Sequence, residues 1–382
     1  RYRERENHIS SDSWPIYISL QKDGILFKMR RTQDLPDKES ATMFFQDCKL
    51  AHQAQIAGIS HSVKEILPPD LLDLTQLQKE ANIRYGFTAS EVYDIAQSLY
   101  EKKLISYPRT SSRYLTEDVF DSLPPIMARL LSWELFPAAK GTGGIDISGL
   151  SRHIINAEKA NVHHAIIITG IRPGNMSEKE MQVYRLVAGR MLETFMAPCR
   201  IETTNVEAVC AAQHFKAEQT RIIEAGWHDV FMRSDMVPKS GYSVNELPEV
   251  EKSDTLNVCG CNMVHKKQLP VNPFTDAELV EYMEQNGLGT VSSRTNIIRT
   301  LVNRKYIRYS GKYIVPTPKG MFTYETIRGK KIADTSLTAD WEKQLAGLES
   351  GMITGQDFLN RIRTLAKEMT DDIFNTYSSK EE

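Results

Sequence analysis

Two proline-marked breaks divide this chain by the period of its apolar residues, and that division limits the folds open to it. Before Leu67-Pro68-Pro69 the apolar residues alternate, as in Pro15-Ile-Tyr-Ile-Ser-Leu20 and Gln55-Ile-Ala-Gly-Ile-Ser-His-Ser-Val63, which is the period of strands. From Asp70 to about Arg200 the spacing becomes helical. Alternation returns in Ile201-Glu-Thr-Thr-Asn-Val-Glu-Ala-Val209. Past the second break, Pro270 to Phe274, the spacing is helical again apart from residues 306–316. A β unit interrupted by a helical insertion is the simplest account. The expectation is an α+β multidomain chain. Residues 1–66 and 198–272 form one discontinuous β domain, 67–197 a helical domain, and 273–382 a second helical domain.

Local signals sharpen this outline. Asp23-Gly24 between two alternating runs predicts a β-hairpin. Thr88 with Glu91 three residues on forms a capping box ahead of Val92, Ile95, Ala96 and Leu99. A further helix is expected over residues 177–196, with Tyr184, Val187, Ala188 and Met191 facing inward. Residues 95–107 align without gaps with 297–309 at an offset of 202, sharing Ile, Leu, Lys, Ile and Tyr at five of thirteen positions. Each copy ends a helix, passes two basic residues and enters an apolar–polar alternation. Helix, turn, helix and hairpin is the order of a winged helix, and residues 306–315 supply a wing that turns at Ser310-Gly311.

Charge is unevenly spread. Lys and Arg number 47 against 49 Asp and Glu, a formal net charge of −2. Residues 291–331, however, hold ten basic residues and one acid, Glu325, whereas residues 340–382 hold nine acids and five basic residues. Local patches, not totals, attract phosphate. No run of roughly 18 apolar residues exists, so no membrane span is expected. The first ten residues lack the apolar core of a secretory signal. Five scattered cysteines do not suggest a disulfide framework and favour a reducing compartment. Trp341 and the helical spacing of residues 358–369 read as packing positions.

Three clusters can carry chemistry. In Leu104-Ile-Ser-Tyr107-Pro-Arg109-Thr110-Ser111-Ser112-Arg113-Tyr114 a phenol stands two residues from a guanidinium in a hydroxyl-rich loop. An arginine on the same side of an extended segment would favour the phenolate and hold a phosphate. A plain Tyr-Pro turn with solvated arginines has the same spacing. In Asn161-Val-His163-His164-Ala165 neighbouring histidines on a strand face opposite ways and no third ligand follows, so a contact to phosphate or a structural role is open and no metal is expected. In Gly287-Leu-Gly-Thr290-Val-Ser-Ser293-Arg294 two glycines lead into a hydroxyl-rich helix start, a candidate phosphate site. It is not a Walker motif, so no ATP is expected. Cys259-Gly-Cys261 lacks a partner pair for a zinc ribbon and reads as small residues on one face of a strand.

The string Lys103-Leu-Ile-Ser-Tyr107-Pro-Arg109-Thr-Ser-Ser-Arg113-Tyr-Leu115 resembles the active-site signature of type IA DNA topoisomerases, the bacterial topoisomerase III group in particular. Pro68-Pro-Asp-Leu-Leu-Asp-Leu-Thr75, Tyr85-Gly-Phe87, His163-His-Ala-Ile-Ile167, Gly287-Leu-Gly-Thr290 with Arg294, and Leu337-Thr-Ala-Asp-Trp-Glu342 follow in that family's order. The resemblance implies a β arch joined to helical, CAP-like winged-helix domains. It implies that Tyr107 attacks a single-strand phosphodiester, forming a 5′-phosphotyrosine, and that Arg109 stabilises the scissile phosphate. His163, Arg113, Thr110, Ser111, Thr290, Ser293 and Arg294 would contact DNA. Strand passage and religation then need no ATP, because one phosphoester replaces another. The alternative is a non-catalytic winged-helix DNA-binding protein; a tyrosine recombinase would need a late tyrosine. Ser111, Asn161 and Ile168 depart from the family's usual Asp, Asp and Pro. No Asp-x-Asp occurs, so Mg²⁺ is expected on a Toprim domain of the same polypeptide outside these residues, and a piece lacking it is expected to bind single-stranded DNA as a monomer without relaxing supercoils. The bacterial cytoplasm, at the nucleoid, is the expected location.

Overall fold

The computed structural model describes residues 1–133, 135–136, 145–147, 149–160, 163–231 and 239–378. Near the start lie a short helix α1 (Tyr2–Glu6) and strand β1 (Asp12–Ser13). Strands β2 (Ile16–Lys22), β3 (Ile25–Arg31), β4 (Gln53–Ile66), β5 (Cys199–Cys210), β6 (Gln213–Glu224) and β7 (Thr255–Met263) follow, and β1 pairs with β8 (Lys266–Lys267). The six long strands close into a barrel in the order β2-β3-β6-β5-β4-β7. Closure removes the free edges that the alternating strands would otherwise expose. Alternation puts Ile16, Ile18, Leu20, Met29, Val206 and Phe215 inside, each essentially without solvent contact. The β2–β3 turn falls at Asp23-Gly24, both with positive φ (50° and 81°), as an Asp-Gly hairpin requires.

Residues 1–66 are not all strand. Helix α2 (Lys38–Leu50) lies between β3 and β4, capped by Asp37, whose carboxylate accepts from the Ser40 N–H at 2.7 Å. Ala41 and Cys48 sit on its buried face. That spacing and the Asp37 cap are helical signals overlooked among strand-like neighbours.

The helical insertion leaves the barrel after β4 and returns before β5. It contains α3 (Leu74–Tyr85), α4 (Ala89–Glu101), α5 (Glu117–Asp121), α6 (Leu123–Ser132) and α7 (Glu178–Phe195). The expected capping box of Thr88 with Glu91 forms, and a second, which the sequence reading did not name, joins Ser177 to Glu180. Helix α7 is buried on more sides than an amphipathic stripe implies. Arg190 inside it donates to Glu193 at 2.9 Å, to Glu80 at 2.7 Å and to the Asp70 carbonyl at 3.1 Å. A buried guanidinium survives because every nearby acceptor is aimed at it.

Beyond the barrel come α8 (Asp276–Gln285), α9 (Arg294–Asn303), the hairpin β9 (Ile307–Ser310)–β10 (Tyr313–Pro316), α10 (Pro318–Ile327), α11 (Thr335–Glu349) and α12 (Gly355–Ser378). The repeat noticed over residues 95–107 extends further back. Asp73 caps α3 and Thr275, 202 residues later, caps α8. Lys103 and Lys305 both adopt left-handed backbone, φ 59° and 60°. The Leu104 N–H donates to the Leu99 carbonyl and the Tyr306 N–H to Leu301, each at 2.9 Å. The first copy lacks its own hairpin: Ile105 instead bridges to Ile168. Helix α12 is no core element; Phe358, Ile362, Leu365 and Met369 form only a half-buried stripe. Its acids reach back to the basic stretch, pairing Asp372 with Lys330 and Glu368 with Lys331. Arg304, Lys305, Arg308, Lys312 and Lys319 remain exposed around the hairpin. Among the described residues no helix is long and apolar enough to cross a membrane.

Candidate active site

The left-handed turn at Lys103 ends α4 and sends residues 104–112 against residues 163–169. The Ser106 N–H donates to the Ile167 carbonyl at 2.8 Å, and the Ser106 hydroxyl accepts from the Ile167 N–H at 3.0 Å. Thr110 is buried and donates its hydroxyl to the His163 carbonyl at 2.9 Å, while its oxygen accepts from the Ser112 N–H at 3.0 Å. Thr110 thus ties the two segments together, where the sequence suggested a DNA contact.

This clamp fixes Tyr107. Its half-buried ring packs against His163 with centroids 4.5 Å apart and meets the Tyr100 ring edge-on at 5.3 Å. No hydrogen bond holds its hydroxyl among the described residues. Among the described residues no hydrogen bond or cation–π contact joins Arg109 to Tyr107. Its guanidinium lies 5.0 Å over the Tyr93 ring and donates to the Gln97 side chain at 3.3 Å, leaving a buried Nε without a partner. Tyr93 and Gln97 stand four apart on one face of α4, a helical spacing that the motif reading overlooked.

Arg109, Thr110, Ser111, Ser112, Lys159, His163, Thr290, Val291 and Ser292 line one cleft of about 280 Å³. All three clusters singled out in the sequence therefore meet there. Ser111, His163, Thr290 and Ser292 are exposed to it. Lys159 is an addition: its ammonium stands 4.7 Å over the Tyr114 ring, and no motif in the sequence marked it. The turn into α9 is knotted by Ser293, whose hydroxyl accepts from the Thr290 N–H at 2.8 Å.

Two arginines expected at DNA are paired with carboxylates of the protein, Arg294 buried and Arg113 half-buried. Arg294 is buried and donates to Glu284 at 3.0 Å. Glu284 also accepts from Thr75 at 3.1 Å, joining α8 to α3. Arg113 donates to the buried Asp73 at 2.6 Å. Burial pushes the Asp73 carboxyl above its usual range, with the hydrogen bond from the Gln76 N–H and the charge of Arg113 opposing. His164 shares its Nδ1 with the Ala165 carbonyl at 2.7 Å. Asn161 lies outside the described residues. Among the described residues no group of three or more His, Cys, Asp or Glu side chains is placed to hold a metal ion.

The site thus joins a half-exposed tyrosine and a histidine to a cleft lined by an arginine, a lysine and several hydroxyls, on two like helical units joined to a barrel. The family model described as DNA topoisomerase matches residues 1–360. The chain belongs to the type IA DNA topoisomerase family. Among its relatives, DNA topoisomerase 3 of Bacillus licheniformis is 32% identical over 344 residues, covering 84% of this chain and 47% of the relative. The same-named protein of Bacillus subtilis is 30% identical over 352 residues, 85% of this chain and 48% of the relative. That of Staphylococcus haemolyticus is 28% identical and spans 100% of this chain and 55% of its own. The chain thus spans about half the length of these curated relatives. Full-length topoisomerase I from Thermotoga maritima shares the fold, with a TM-score of 0.71 at 22% identity over 99% of this chain and 60% of that one.

Proposed function

We propose that this chain carries the tyrosine half of a type IA topoisomerase of the topoisomerase III kind. Tyr107 Oη attacks the phosphorus of a single-strand phosphodiester. A phosphorus–oxygen bond to tyrosine forms, the bond to the 3′ oxygen breaks, and the phenolic proton ends on the freed 3′-hydroxyl. The downstream strand is then held as a 5′-phosphotyrosine, and reversal reseals it without ATP because one phosphoester bond replaces another and its energy is kept. The observation that carries the reading is the position of the Tyr107 ring: half-exposed, its hydroxyl unbonded, against the His163 ring that lines the cleft.

Arg109 would swing its buried, partnerless Nε edge toward the scissile phosphate as negative charge builds there. His163, Lys159, Ser111, Thr290 and Ser292 would contact neighbouring phosphates. Arg113, Arg294, Thr110 and Ser293 act through the architecture, holding Asp73, Glu284 and the two loops that carry the contacting groups. The hairpin β9–β10, read as a wing, offers exposed cations to single-stranded DNA, and the barrel serves as the arch around a passing strand. Mg²⁺ would steady phosphate charge when bound, and this reading assigns it to a Toprim segment, because among the described residues no group of three or more His, Cys, Asp or Glu side chains is placed to hold it.

The test uses the chain alone. It is expected to bind single-stranded DNA with affinity falling steeply between low and moderate salt, because each gripped phosphate releases counterions. It is not expected to relax supercoiled plasmid with Mg²⁺. Flat salt dependence contradicts the phosphate-gripping role, and robust relaxation contradicts the separation of metal and tyrosine halves.

A further inference from the structure

The barrel contains a thiol cluster that the cleavage chemistry does not use. Cys48 lies in the last turn of α2, Cys210 ends β5, and Cys261 sits on β7 directly across from the interior residue Ile18. Cys48 and Cys210 are 0% and 1% exposed, whereas Cys261 is half-buried. The Cys261 sulfur also lies 3.9 Å from the Phe45 carbonyl of α2, in the turn that precedes Cys48.

Cys48 and Cys210 belong to one buried cluster inside the barrel, and Cys261 packs against it. A donated hydrogen bond stabilises negative charge on its acceptor. Giving a hydrogen bond to Cys48, together with burial, therefore drives the Cys210 thiol upward. Cys48 gains from Cys210 but gives to Cys261 and is buried, and it stands at about 11. Accepting from Cys48 lowers Cys261, against the opposing effect of burial. Cys261 is thus the one thiol of the three that is both lowered and within reach of solvent, and it packs against the cluster that holds the buried Cys48. Such a pair of low and high thiols suits sequential oxidation. Metal capture does not fit, since the trio lacks the arrangement for an ion.

We propose that Cys261 and Cys48 form an oxidative modification site, Cys261 reacting with a hydroperoxide and Cys48 resolving the product to a disulfide. The Cys261 thiolate attacks the terminal peroxide oxygen. A sulfur–oxygen bond forms, the oxygen–oxygen bond breaks, and the leaving alkoxide takes a proton to become an alcohol. Cys48 sulfur then attacks the sulfenic sulfur; the sulfur–sulfur bond forms and the hydroxide leaves with the Cys48 proton as water. Two thiols lose two electrons in all, and one peroxide is reduced to alcohol and water. The crosslink pins α2 to β7 and so stiffens one side of the barrel. Cys259, exposed two residues away, is a built-in comparison.

The experiment is brief exposure of the reduced chain to hydrogen peroxide, alkylation of remaining thiols, digestion without reductant and mass spectrometry. The expected product is a Cys48–Cys261 linked peptide, reversed by dithiothreitol, forming before Cys259 is oxidised. In Cys48→Ala and Cys48→Ser the link is lost and Cys261 is trapped by dimedone as a sulfenic acid. Should both variants unfold, the order of products in the unaltered chain decides. Oxidation of Cys259 first, a link from Cys48 to Cys210, or Cys261 sulfenic acid persisting unlinked in the unaltered chain overturns the proposal.

Discussion

Residues 73–107 and 275–309 follow one backbone plan, and their last tyrosines meet opposite fates. Both units begin at a capped helix, turn through a left-handed lysine and end on tyrosine. Tyr309 donates its hydroxyl to Asp276 at 3.0 Å, and burial first, then the Asp276 charge, pushes its phenol well above the ordinary range. Such a phenol is a structural donor. Among the described residues Tyr107 has no such acceptor; its ring is held by Tyr100 and His163. A repeated scaffold therefore does not repeat a site. What differs is the segment laid beside it: residues 163–169 in the first unit, and the unit's own hairpin in the second.

Two ion-pair networks differ in depth, one where α7 packs behind the first unit and one at the contact between the units, and that contrast has the largest expected effect. Arg190→Met leaves Glu193 and Glu80 without their buried cation and should cost about 3–5 kcal/mol in urea unfolding. Arg299→Met, which breaks the more exposed pair with Asp94 at the contact between units, should cost about 0–1 kcal/mol. Equal losses would erase the distinction between a buried and a surface network. Next in size, Tyr309→Phe removes a hydroxyl bonded to a buried carboxylate and should lower stability by about 1.5–3 kcal/mol. Tyr107→Phe should stay within about 0.5 kcal/mol of the parent in the same melts. Thr88→Ala and Thr275→Ala each delete half of a capping box and should cost about 1 kcal/mol apiece.

The smallest effect depends on pH. Glu180 joins α7 to α4, and hydrogen bonds from Lys102 and then Ser98 hold its carboxyl down at about 2 against an ordinary 4.5. A depressed carboxylate contributes stability that is complete above its unfolded value and lost as pH falls through the folded one. Unfolding midpoints of the parent should therefore drop relative to Glu180→Gln between about pH 4.5 and 2. Parallel pH profiles would show that this link adds nothing.

Much of the architecture was legible because periodicity reports burial directly. The Asp-Gly hairpin, the Thr88–Glu91 capping box and the return of strands after Arg200 follow from local rules. Helix α2 was missed because its thirteen residues sit between strands and carry a weak apolar face. Barrel closure was not legible, since pairing of β2 with β7 joins residues more than 230 positions apart. At the site, Tyr107, Arg109 and His163 were marked by their motifs. The inward turn of Thr110, Arg113 and Arg294 was not, because a motif gives residue types and not which side of the loop faces a partner. Glu284, which draws in Arg294, lies on another helix, and Asp73, which draws in Arg113, lies forty residues upstream.

The most direct measurement is covalent capture of a single-stranded oligonucleotide labelled at its 3′ end, with Mg²⁺, by the chain joined to a Toprim-bearing segment. The label should move with the protein in the parent and in Tyr309→Phe, and should be absent in Tyr107→Phe. A labelled adduct surviving in Tyr107→Phe, or lost only in Tyr309→Phe, would contradict the assignment of the nucleophile.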